Sequence, residues 1–135
     1  MYTNASTSEA LLSEFPELRD ELTDNAGLLH LQLAVLARHT QDAIAAGDLA
    51  TVRRDFMFVD RVLAAADKFV RNAVHVSYLE HVEFTGTHGA AARDLLSSRL
   101  REGWHSIHRY METLAEAAAA DPRRNPAARG RRKRR

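Results

Sequence analysis

Apolar residues recur along this chain at intervals of three and four, and nowhere alternate over the roughly four to eight residues that a half-buried strand requires, so the pattern predicts an all-α protein. Proline and glycine mark the breaks. A first helix is expected over residues 8–14, capped by Thr7 or Ser8 and presenting Ala10, Leu11, Leu12 and Phe15. Pro16 interrupts it and, being tolerated in a first turn, opens a short piece over residues 17–22. In residues 26–46, Leu29, Leu33, Leu36 and Ile44 form one stripe and Leu28, Leu31 and Val35 a second beside it. A sector that wide predicts a central helix.

Asp48 is placed to cap the next helix, whose Leu49, Val52, Phe56, Val59 and Leu63 share one face while Arg53, Arg54, Asp60 and Arg61 mostly point elsewhere. Asp67 is a further cap, for a helix through Phe84, although the pattern alone fits an unbroken helix from Asp48 onward equally well. Val70, Ala73, Val74, Val76, Leu79, Val82 and Phe84 spread around nearly the whole wheel, so this segment is expected to be the most buried. Gly86 and Gly89 bracket a loop. The last helix is expected over residues 90–120, with Leu96, Leu100, Trp104, Ile107, Met111 and Leu114 recurring at three or four. The economical architecture is a compact bundle of about five mostly antiparallel helices. A final helix of that size extends about 50 Å, more than such a body covers. Either part of its stripe meets a second copy, as in a homodimer, or the helix breaks near Gly103.

Composition fits one domain: 135 residues, 45% hydrophobic and 27% charged. Cysteine is absent, which removes disulfides, thiolate catalysis and cysteine-based metal sites. The first ten residues lack a charged and an apolar leader region, and the leucine-rich run at 28–37 carries His30 and Gln32. A cytoplasmic protein without a membrane span is therefore expected. The net charge of +1 conceals a division: residues 1–122 carry −7, whereas residues 123–135 carry +8 and no acid. The chain divides into a helical domain, 1–121, and an arginine-rich tail, 122–135, expected to be disordered because like charges, proline and glycine come without an apolar anchor. Arg123, Arg124, Arg129, Arg131, Arg132, Lys133, Arg134 and Arg135 are the candidate contacts to nucleic-acid phosphates. Such binding would be salt-dependent and indifferent to base sequence, since no aromatic is interleaved for stacking. Arginine outnumbers lysine and alanine is abundant, a habit of GC-rich bacterial genomes.

Chemistry-bearing residues are few. Glu80 shares the wheel sector of Phe69, Ala73 and Val76, which makes it a candidate buried acid, with a structural ion pair favoured over a catalytic role. Glu102, His105, His108 and Glu112 lie within eleven residues, and Glu102-x-x-His105 has the spacing of a di-iron bundle motif. That design needs the motif twice, and no second copy occurs. A metal site would have to recruit His75 or His81 from elsewhere. No serine sits in a nucleophile elbow, and the Gly86–Gly89 segment lacks the lysine of a phosphate loop. No cofactor is expected.

The runs FPELRDEL, LLHLQLAVLARHTQDAIAAGDLATVRRDFMFVDRVL and VRNAVHVSYLEHVE, with Phe15–Pro16–Glu17–Leu18 and Tyr78–Leu79–Glu80 as the matching pieces, resemble an uncharacterised family of small bacterial all-helical domains of unknown function. The similarity covers roughly residues 12–100, and the helix beyond Gly103 and the tail depart from it. It implies a helical bundle without assigned activity, similar in size and style to immunity and accessory proteins of bacterial conflict systems. With no catalytic constellation and an acidic body, the leading expectation is a non-enzymatic interaction domain steered toward a basic protein partner. The alternatives are a nucleic-acid accessory anchored by the tail and a histidine–carboxylate metalloprotein.

Overall fold

The computed structural model describes residues 1–120, and every regular element within them is a helix. The elements are α1 (Asn4–Glu14), a 3₁₀ turn at Pro16–Leu18, α2 (Arg19–Asp24), α3 (Leu29–Ala46), α4 (Leu49–Ala64), α5 (Lys68–Ser77), a second 3₁₀ turn at Leu79–His81, α6 (Gly89–Arg93) and α7 (Ser98–Ala120). Five of these are long and α2 and α6 are short; α2 is the short piece expected after Pro16, so the expected bundle stands with α6 added. The tail call, including its eight candidate phosphate contacts, lies outside the described residues. Among those described, no helix is long and apolar enough to cross a membrane.

Helix starts follow local hydrogen bonding. α1 begins at Asn4, not Ser8, because Thr3 caps it: its Oγ1 accepts the Ser6 N–H at 3.2 Å while Ser6 Oγ accepts the Thr3 N–H at 2.9 Å. Serine here does the job usually given to glutamate. α3 starts later than expected because residues 25–28 are spent in a turn closed by the Leu28 N–H on the Asn25 carbonyl at 3.0 Å. Leu29, Leu33, Leu36 and Ile44 are buried as anticipated, but of the second stripe only Val35 is; Leu28 and Leu31 stay about half exposed. α3 is nonetheless central, packing against α1, α2, α4 and α5. Gly47 ends it at φ 72°, a left-handed conformation that favours glycine; a Cβ there would lie 2.8 Å from the exposed His88 ring, which would have to swing aside.

The break between α4 and α5 is held from outside. Tyr2 inserts at the junction, donating its N–H to Ala65 O at 2.7 Å and accepting the Asp67 N–H at 3.0 Å, while Asp67 Oδ1 accepts the Val70 N–H at 2.8 Å. A continuous helix from Asp48 is thereby excluded. Replacing that cap, Asp67→Ala, is expected to lower stability by about 1 kcal/mol, measured by urea unfolding.

Two expectations are corrected. The helix from Asp67 ends at Ser77 instead of Phe84, and the chain then passes through the 3₁₀ turn to an extended Val82. The physical reason is the all-round apolar wheel: one helix cannot turn every azimuth inward, and unwinding lets Tyr78, Leu79 and Val82 all reach the core at 0–1% exposure. The second correction concerns the last helix. It breaks at residues 94–97 and runs unbroken through Gly103. Ser97 Oγ accepts the Leu100 N–H at 3.1 Å and donates to Asp60 at 3.0 Å, starting α7 and fastening it to α4. At 23 residues, α7 is about 35 Å long.

Candidate functional site

The most constrained polar cluster is built on Asp55, which is fully buried in α4 between Val52 and Val59. Its Oδ2 accepts hydrogen bonds from His39 Nδ1 and Thr40 Oγ1, both at 2.8 Å, from consecutive residues of α3. Tyr78, at the end of α5 and wholly buried, lies 2.7 Å from the same Thr40 hydroxyl. Because Thr40 gives its one proton to Asp55, the Tyr78 hydroxyl is the donor to Thr40. The Nδ1–H tautomer of His39 follows from its carboxylate acceptor. Among the described residues, Asp55 Oδ1 has no hydrogen-bond partner.

On the outer side the first 3₁₀ turn covers the imidazole. The Phe15 ring meets it edge-on at 5.9 Å, and Glu17 Oε1 lies 3.7 Å from His39 Nε2. Arg54 pairs with Glu17 and sits over the Phe15 ring at 4.7 Å. Burial pushes the Asp55 carboxyl up, against the opposing pull of its bonds from His39 and Thr40. Burial, with Asp55 nearby, lifts the Tyr78 phenol well above its ordinary range, so it remains a protonated donor. At Glu17 burial acts upward too, but a backbone hydrogen bond and Arg54 outweigh it and leave that carboxyl lowered.

A carboxylate orienting a histidine is the back half of a hydrolytic triad. Here the free imidazole nitrogen faces Glu17 and the adjacent hydroxyl, Thr40, is sealed beneath it. The arrangement holds rather than reacts: it ties the Phe15–Glu17 corner, α3, α4 and the end of α5 together through one buried carboxyl.

The residues singled out from sequence are not brought together. Glu80 is half-buried within the 3₁₀ turn, because the helix whose wheel placed it inward has already ended; the buried acid is Asp55. Sequence reasoning passed over Asp55 beside Arg53 and Arg54, although its spacing of three and four from Val52 and Val59 puts it on the apolar face. His105 Nε2 lies 3.2 Å from Arg93, and His108 stacks on Trp104 at 4.3 Å while its Nε2 donates to Leu79 O at 3.1 Å. Glu112 is exposed, and Glu102 faces a groove between α5 and α7 that it shares with His75. His81 lines a different hollow with Arg38 and Gln41. Among the described residues, no group of three or more histidines and carboxylates is arranged to hold a metal ion.

The acidic body is partly neutralised. Glu14, Glu17, Glu21 and Asp60 pair respectively with Arg61, Arg54, Arg38 and Arg99. Exposed pairs of this kind add little stability, and they leave the balance of −7 unchanged, because it already counts both partners of each pair.

Fold and cluster together define an all-helical domain stitched through a buried aspartate. The chain belongs to the domain-of-unknown-function family DUF7674, whose model matches residues 8–112. That span runs past Gly103, so the first half of α7 is part of the family domain and not, as the sequence resemblance implied, a departure from it. No curated protein and no solved structure matches the chain.

Proposed function

We propose that the protein is a non-enzymatic interaction domain that works as a two-fold pair, with the outer half of α7 as its docking element. The observation that carries this reading is a stripe that begins in the core and continues into solvent. Leu100 is fully buried, Trp104 and Ile107 pack against the core, and Met111 and Leu114 continue the same spacing at 38% and 45% exposure. His108, bonded to Leu79 O, is near the end of the body's hold on the helix. An unbroken apolar stripe that outruns its own domain is suited to a second helix of the same kind.

Orientation follows from charge. Beyond Ala120 the sequence carries eight cations, and parallel pairing would set both sets side by side. Antiparallel pairing about a two-fold axis between Glu112 and Thr113 places Met111 of each copy opposite Leu114 of the other. It separates the two Ala120 positions by about 22 Å, nearly three Debye lengths at physiological salt.

Analytical ultracentrifugation tests this. The wild-type chain is expected to sediment at twice its 15.1 kDa mass at high micromolar concentration. The double variant Met111→Glu/Leu114→Glu, altered only at exposed positions, is expected to be a folded monomer. A wild-type protein that stays monomeric across that range overturns the reading.

A further inference from the structure

The surface between α5 and α7 opens into two adjoining clefts, of about 390 and 480 Å3, that share His75 and Ser106 as a common wall. Gly103 makes room for this meeting, since a Cβ at that position would stand 3.1 Å from His75 Nε2 and 3.0 Å from Leu79 Cδ1. The ends differ in chemistry. Arg71, Arg99 and Glu102 line only the first cleft, whereas Val76, Ile107 and Tyr110 line only the second. Along α7 the lining runs from Arg99 to Tyr110, a span of about 16 Å.

We propose that this groove binds a small amphipathic anion, its carboxylate or phosphate headgroup held by Arg71, His75 and Ser106 and its hydrocarbon part laid along Val76, Ile107 and Tyr110. Arg99 is already held by Asp60 at 3.0 Å, which leaves Arg71, with no ion pair among the described residues, as the cation offered to a ligand. Glu102 belongs to the same end, yet the charge felt at the imidazole is positive. Burial and then Arg71 push His75 below its ordinary value, so at neutral pH it is an uncharged ring beside a guanidinium. Such a pair accepts one negative charge without a second cation to neutralise. The volumes fall within the range of small-molecule sites, with charged groups gathered at one end and most of the apolar side chains at the other. Met111 and Leu114 line neither cleft, so Met111→Glu/Leu114→Glu leaves every lining residue in place.

The test is an NMR titration of the full-length chain with octyl phosphate, octanoate and inorganic phosphate. Either octyl compound is expected to produce saturable shifts at Val76, Ile107 and Tyr110 and to raise the His75 pKa, and the tighter of the two identifies the headgroup. Arg71→Gln, at an exposed position, is expected to weaken binding about tenfold or more, the effect of one lost hydrogen bond to a charged group. Tyr110→Ser is expected to weaken octyl phosphate while leaving inorganic phosphate unchanged. The proposal is overturned if neither octyl compound gives saturable shifts at these residues, or if Arg71→Gln binds them as tightly as wild type.

Discussion

Asp55→Ala is expected to lower the unfolding free energy by about 2–4 kcal/mol, because buried donors lose their acceptor and a cavity is left behind. The variant strips His39 Nδ1 and Thr40 of a shared acceptor and leaves a void between Val52 and Val59. Urea unfolding of the variant measures the loss, and a cost below about 1 kcal/mol contradicts the assignment of this cluster as the stitch of the fold. A second arm separates the pair from the cavity. His39→Leu/Asp55→Leu removes both partners and fills the space, and it is expected to recover much of the loss, because paired hydrophobes replace a buried pair at little net cost.

The same carboxyl sets an opposite-signed pH dependence. Asp55 is raised in the folded state, so the stability linked to it is complete below 3.8 and declines as pH rises through its folded value. Glu17 is lowered, so its contribution is complete above 4.5 and is lost as pH falls through its folded value. Asp55→Asn, which cannot ionise, is therefore expected to be most destabilised relative to wild type in acid, with the gap narrowing toward neutral pH. A gap that widens on raising the pH would show that burial is not what dominates at this carboxyl.

The second large effect is Phe15→Ala. The Phe15 ring is 1% exposed and meets Phe58 edge-on at 5.2 Å and His39 at 5.9 Å, beneath the Arg54 guanidinium. Truncation is expected to cost about 3–5 kcal/mol, as for other buried phenylalanines. It also removes the cover from the His39–Asp55 pair, so water gains access and the raised Asp55 carboxyl is expected to move back toward its ordinary value. A stability loss without that movement, followed by NMR of the carboxyl carbon, would mean that the ring packs beside the pair without shielding it. The prediction gives a physical role to the Phe15–Glu17 corner, where sequence reasoning placed Phe15 on an apolar face and Pro16 as a helix break.

Several features of this fold were readable before any coordinates. The Asp48 and Asp67 caps are short-range chemistry, each satisfied by a backbone N–H three residues on, and both formed as expected. The Leu29, Leu33, Leu36 and Ile44 stripe was equally legible, because a helix that packs on four neighbours must present one continuous apolar face. The site was not legible. Glu80 was placed inward by extrapolating a helix that had already unwound, and an error in where a helix ends rotates every later residue away from its assigned face. Asp55 lay on a correctly read helix, but its partners arrive from sixteen and fifteen positions away, and no local pattern announces such a meeting.

By itself the sequence determined what depends on near neighbours: helices in place of strands, the starts capped by Asp48 and Asp67, an absence of cysteine chemistry and a division of charge between body and tail. Tertiary structure alone decided which polar groups are left without water. Tyr2 closing the α4–α5 junction, Asp55 meeting His39, and Arg71 standing beside an uncharged His75 over Gly103 all depend on helices crossing at particular heights. The cost of burying a carboxyl or an imidazole is set by those neighbours, whereas the cost of turning a helix is set within a few residues of chain.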